Sequence, residues 1–201
     1  MKGLLIKDFY TLTKQLKIFL LIIILFAFMR GASTQAFAIV YSAMLPLTAL
    51  AYDERSKWDK LAAMMPYSTS SLVLGKYVLG YICIVAATIL SFIVNIMFSL
   101  YSKEPVNPDF LMEMLPIVCI ATLLQAINLP FMFKMGVEKG RLIFFALIAV
   151  IIIGGTAFKD KIEQLVNLPQ INFGSFLLLF SVIINVISIA LSIKIYKQKE
   201  N

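Results

Sequence analysis

The sequence predicts an all-α protein that crosses a membrane several times. Three observations carry that prediction. Hydrophobic residues fill 61% of the 201 positions and charged residues only 14%, where a soluble domain is nearer half apolar and about a quarter charged. The apolar residues gather in runs near the roughly 20 residues that a helix needs to cross hydrocarbon. The basic residues fall between those runs, almost all on one side. A water-soluble chain of this length would still have a large wet surface to cover, so a mean hydropathy of +0.91 calls for a hydrocarbon solvent.

Six spans are expected in one transmembrane domain, 1–201. They run from Ile18 to about Ser33, Ala36 to Tyr52, Tyr77 to Tyr101, Phe110 to Phe133, Leu142 to about Phe158, and Phe173 to Tyr196. The first is the weakest, because its apolar stretch from Ile18 to Met29 is short; it crosses if Lys14, Lys17 and Arg30 snorkel to the interfaces. A signal peptide is the competing reading of this region. Arg30 interrupts it, and Ala36-Phe37-Ala38 lies far from the apolar stretch, so an uncleaved span is expected. With six spans and the N-terminus inside, only Arg30, Lys103, Lys159 and Lys161 of the 18 basic residues lie outside. This is the asymmetry that sets membrane orientation, and it places both termini in the cytoplasm. It also accounts for the net charge of +7 through anionic lipid headgroups, without nucleic acid.

Three segments are not spans. Residues 1–17 place Leu5, Phe9, Leu12 and Leu16 at helical spacing, with the lysines and Asp8 elsewhere, which predicts an amphipathic helix on the inner interface. The loop 53–76 opens with Asp53, Glu54, Arg55, Lys57, Asp59 and Lys60. Trp58, Leu61, Ala62 and Met65 recur in it at helical spacing, Pro66 ends that helix, and Ser68 to Ser71 offers a cap for the next. A second inner loop covers 134–141. Residues 159–172 read as a short amphipathic helix on the outer surface.

Chemistry is scarce. The chain has no histidine, and Cys83 and Cys119 sit inside apolar runs, so no metal site, disulfide framework or catalytic cluster is expected. No acidic residue falls mid-span, which leaves little buried charge to mark a proton or sodium pathway. Gly75-Lys76 looks like the end of a phosphate-binding loop, but Ser70 replaces its first glycine and Tyr77 its Ser/Thr. Any ATP is therefore expected on another subunit, with no cofactor in this chain. The mid-span polar groups are amides and hydroxyls. Asn95, Gln125, Asn128 and Asn185 are the candidates for a translocation path, and interhelical hydrogen bonding is their ordinary role. The charged inner loop, with an aromatic set among charges, has the make-up of a docking surface; a solvated loop is the plainer reading.

The run Tyr52-Asp53-Glu54-Arg55-Ser56-Lys57-Trp58-Asp59, then Met65-Pro66-Tyr67-Ser68, then Leu72-Val73-Leu74-Gly75-Lys76-Tyr77 resembles the signature of ABC-2 type permease subunits. The likeness is closest to the small six-span kind that export antimicrobial and toxic amphipathic peptides. One departure is that Thr69 and Ser70 stand where the family often has a basic residue. The resemblance implies an ATP-driven exporter of the bacterial cytoplasmic membrane. Its permease pairs with a second copy or a sister permease and with separate ATP-binding cassette subunits that hold ATP and magnesium. It further implies that residues 1–17 form an elbow helix and that Asp53, Glu54, Arg55, Lys57, Trp58, Lys60, Leu61 and Met65 belong to a coupling helix that docks on the ATPase. The chain itself is then no enzyme. A self-contained channel or secondary carrier, and a non-transporting scaffold or immunity protein, are the alternatives that the residues alone leave open.

Overall fold

In water the apolar runs would have to hide from solvent; in the computed structural model many of them do not. The structure describes residues 2–15, 17–29, 32–65, 67–102, 110–157 and 173–200. They form helices α1 (Lys2–Gln15), α2 (Lys17–Phe28), α3 (Ala32–Ser42), α4 (Leu45–Arg55), α5 (Trp58–Ala63), α6 (Thr69–Ser102), α7 (Phe110–Met135), α8 (Val137–Ala157) and α9 (Phe173–Glu200). No strand occurs among the described residues. Ile82, Val85, Ile89, Ile93 and Met97 form an exposed apolar stripe along α6, and Leu179, Ile183, Val186 and Ile187 do the same on α9. Continuous apolar faces of this extent belong against lipid or another protein.

Among the described residues, four helical segments are long and apolar enough to cross a membrane: Gln35–Arg55, Thr69–Tyr101, Met112–Met135 and Phe176–Gln198. The sequence led us to expect six. The other two expected spans correspond to α2, of 12 residues, and to α8, whose apolar stretch begins at Leu142. The expected outer helix at 159–172 lies outside the described residues.

The segment α3–α4 is the most enclosed of the four, with 67% of its apolar window buried. It serves two cores. Ala43, Leu45 and Ala49 pack with Leu12 of α1, Leu79 and Ile84 of α6, and Ala121 of α7. Met44, Leu47 and Ala51 pack with Val73 and Tyr77 of α6, Leu124 and Met132 of α7, and Phe144 of α8. A tight turn separates α3 from α4, in which Ala43 and Met44 donate to Val40 and Tyr41 three residues back, at 3.2 and 3.0 Å. Pro46 explains the break, since it has no N–H to continue the ladder and its ring crowds the turn before it.

Two local features match the sequence. The Ser68 hydroxyl accepts from the backbone N–H of Ser71 at 3.3 Å, which caps the start of α6. Pro130 removes the N–H that would have reached the carbonyl of Ala126, and the Ser188 hydroxyl of α9 donates to that carbonyl instead. This is how prolines are accommodated within membrane helices.

The face of α1 that packs against the bundle carries Leu4, Asp8 and Leu12, while Phe9 is 60% exposed.

Helices α7 and α8 join through Gly136 alone. Its φ of +85° is a left-handed conformation that costs an L-residue about 1–2 kcal/mol, and a Cβ there would stand 3.2 Å from the Glu54 carboxylate. Gly75, inside α6, would meet nothing within 4 Å. We expect Gly136→Ala to destabilise the protein by about 1–2 kcal/mol, read as a lower melting temperature in detergent. Gly75→Ala is expected to be neutral or stabilising, by up to about 1 kcal/mol.

Candidate functional site

The charges that the sequence scattered over three segments meet at one point. Lys76, near the start of α6, donates to both carboxylate oxygens of Asp8 at 2.8 Å and lies 2.5 Å from Asp53 at the end of α4. Lys7 donates to the other oxygen of Asp53 at 2.6 Å and sits 3.0 Å from Asp8. Each lysine thus touches both aspartates. Asp8, Asp53 and Lys76 are 3%, 5% and 6% exposed. The cavity beside them is about 20 Å³, room for one water at most, so the ions are neutralised chiefly by one another. The sequence led us to expect little buried charge. The structure corrects this: charge is buried, but at the membrane end and fully paired.

The inner loop is built on this clasp. Lys7 also lies 4.2 Å above the ring centroid of Trp58, a cation–π contact, so Trp58 is half-buried against α1. Glu54 points the other way, and its carboxylate accepts from the N–H of Val137 at 3.0 Å, capping α8. Lys57 takes a left-handed conformation, φ 54°, which turns the chain from α4 into the short α5. Beyond that turn Leu61, Met64 and Met65 are 49%, 84% and 41% exposed, and Lys57 and Lys60 are exposed beside them. Of the residues that the sequence singled out in this loop, Asp53, Glu54 and Trp58 are engaged within the chain. Arg55 faces a cleft against α8, while Lys57, Lys60, Leu61 and Met65 face outward. Met64, the most exposed of the three apolar side chains, was not singled out.

The mid-span polar groups form a seam among α6, α7 and α9. Ser188 donates to Ala126 and so has no proton left for Tyr77; Tyr77 therefore donates to Ser188 at 2.6 Å and accepts from Ser192 at 2.8 Å. Tyr81 donates to the Asn185 amide oxygen at 2.7 Å, and the Asn185 amide nitrogen donates to the Ser181 carbonyl at 2.8 Å. The Gln125 amide donates to the Tyr77 carbonyl at 3.1 Å, lying flat over Gly80, whose missing Cβ leaves it room. Asn128 is fully buried close by on α7, and its side-chain atoms have no hydrogen-bond partner among the described residues. Asn95 stands apart, roughly 22 Å along α6 from Gly80 at 1.5 Å per residue. The structure thus gathers Gln125 and Asn185 around Tyr77 and Tyr81 and leaves Asn95 far from them. The two tyrosines organise the seam; the sequence had marked Tyr77 only as the start of a span and part of a motif, and Tyr81 not at all. Their signal was their spacing of one helical turn at the start of an apolar run.

No group of histidine, cysteine or acidic side chains suited to a metal ion occurs among the described residues. The described geometry holds helices together and presents an apolar loop tip. A family model described as ABC-2 family transporter protein matches residues 3–197. The chain belongs to that family. No curated protein and no solved structure gives a match. Membership makes this ABC-2 protein a multi-pass membrane permease of an ABC transporter, not itself catalytic, and implies an ATP-binding cassette partner.

Two outcomes follow for the permease. Removing one member of the clasp strands its partners, and a buried charge left unpaired costs about 3 kcal/mol or more. Asp8→Ala and Lys76→Ala are each expected to lower stability by about that much in a detergent melt, and the double variant by clearly less than the sum. Gly80→Ala displaces the Gln125 amide and destabilises the fold, and the same substitution in a Gln125→Ala background is expected to be nearly harmless.

Proposed function

We propose that this permease crosses the bacterial cytoplasmic membrane six times, with both termini inside, and exports amphipathic peptides using ATP bound by a separate subunit. Helices α2 and α8 supply the two further crossings, α2 by virtue of the basic residues that flank it. Helix α1 is the elbow helix. A second copy or sister permease completes the transporter, and the exposed stripes on α6 and α9 are surfaces that it or lipid would cover. The resemblance of the inner-loop motif to permeases of peptide exporters is what supports the cargo.

One observation carries the coupling part of this reading. The loop tip holds three large apolar side chains, Leu61, Met64 and Met65, in the open, on a segment whose base is pinned by buried ion pairs. A solvated linker does not need a rigid base under an apolar tip. A docking element needs both, an apolar anchor and a support that passes on the load. We assign the contact with the ATPase to Lys57, Lys60, Leu61, Met64 and Met65. Asp53, Glu54 and Trp58 keep the loop in place. Closure of the ATPase dimer then shifts the permease between two arrangements by the difference in its contacts with each.

The test is co-purification of the tagged permease with its ATPase from native membranes. Leu61→Asp combined with Met64→Asp is expected to cut ATPase recovery by about tenfold, equivalent to about 1.4 kcal/mol, and to abolish cargo-stimulated ATP hydrolysis while the melting temperature holds. Unchanged recovery and unchanged hydrolysis would rule out docking at this tip. Transport by the chain alone in liposomes would replace the ATP-driven reading with a secondary carrier.

A further inference from the structure

Helices α4 and α8 enclose a cleft of about 340 Å³, lined by Met44, Thr48, Ala51, Tyr52, Arg55, Arg141 and Phe145. It contains two arginines and no acid. Neither arginine makes an ion pair among the described residues, although carboxylates are close in sequence. Glu54, next to Arg55, is committed to the N–H of Val137, and Glu138, one turn before Arg141, pairs with neither. Two like charges facing one cavity without a counter-ion repel each other, and an anion between them removes that cost. The guanidinium forks suit the oxygens of a phosphate in particular, and the Tyr52 phenol adds a further donor to the same wall.

The rest of the cleft is apolar and has a definite depth. Met44 lies roughly 16 Å deeper along the helix than Arg55, at 1.5 Å per residue. One leaflet of the hydrocarbon core is about 15 Å thick. With the arginines at headgroup level, Met44 reaches toward the bilayer midplane, and Phe145, about 6 Å along α8 from Arg141, lines the part of the cleft nearer the headgroup. The loop charges assign this end of the helices to the inner leaflet.

We propose that the cleft between α4 and α8 is a binding site for an anionic phospholipid of the inner leaflet. Its phosphate lies between Arg55 and Arg141, and one acyl chain lies along Met44, Ala51 and Phe145. Basic pockets between membrane helices on this side hold anionic headgroups by the same physics. A free anion would use only the arginines, and an uncharged lipid only the apolar wall; the cleft offers both in one line. The site rests on the membrane orientation proposed above, not on transport of a peptide.

The probe is phosphatidylglycerol, counted by native mass spectrometry on protein stripped into neutral detergent and titrated with the lipid. The wild type is expected to retain one phosphatidylglycerol in preference to phosphatidylcholine, and Arg55→Gln with Arg141→Gln to lower the bound fraction about tenfold. Arg55→Gln alone, at an exposed residue with no ion-pair partner among the described residues, gives a smaller loss and serves if the double variant does not fold. Lys194→Gln with Lys197→Gln, which removes exposed charge from α9, leaves retention unchanged. Equal retention by the arginine variants, or equal loss in the lysine control, overturns the site. Displacement by millimolar glycerol phosphate as effective as by the lipid shows a free-anion site and also overturns it. So does binding only of an anionic amphipathic peptide, with no phosphatidylglycerol retained in its absence.

Discussion

Lys76 holds Asp8 and Asp53 in one grip, and three separate stretches of chain meet because it does. Asp8 comes from helix α1, Asp53 from the end of the most buried span, and Lys76 from the first turns of α6. Away from water each of these groups would be costly alone, and together with Lys7 they are electrically neutral. The position of α1 against the bundle, the base of the inner loop and the register between α4 and α6 all depend on that neutrality. The loop tip can be apolar and exposed because its foundation is ionic and closed.

The seam deeper in the bundle works by the same constraint on uncharged groups. A proline frees a carbonyl, a serine on the next helix answers it, and that serine's spent proton dictates the direction of the two bonds to Tyr77. Helices α6, α7 and α9 are thereby tied by amides and hydroxyls rather than by a hydrophobic preference, which lipid would weaken. Gly80 belongs to the same arrangement, since only a missing Cβ lets the Gln125 amide lie across α6.

Much of this was legible in the sequence, and the remainder was not for a physical reason. Apolar runs and turn chemistry are local, so the helices, the Ser68 cap, the end of α5 near Pro66 and the accommodation of a proline could be read directly. The clasp could not, because Asp8 and Lys76 are 68 residues apart and Glu54 and Val137 are 83 apart. Periodicity placed Phe9 on the apolar side of α1 and Asp8 off it, and carries no sign of the lysine on another helix that draws Asp8 into the protein. Trp58 read as an exposed anchor because aromatic residues among charges usually are; Lys7, distant in sequence, half-covers it. The loop was correctly seen as unusual, but the outward residues and the supporting ones could not be told apart from order alone. Of the candidate path residues, the sequence grouped Asn95 with Gln125 and Asn185 by type, whereas helix length sets Asn95 apart.

The last two acids of α4 have a mechanical consequence. Asp53 and Glu54 are neighbours in the chain, and successive residues of a helix point about 100° apart. One is tethered to α1 and α6, the other to the first residue of α8, which in turn is hinged to α7 by a single glycine. The end of α4 therefore carries two tethers that lead in different directions from one turn of backbone, and a rotation of that turn about its own axis would disturb both at once.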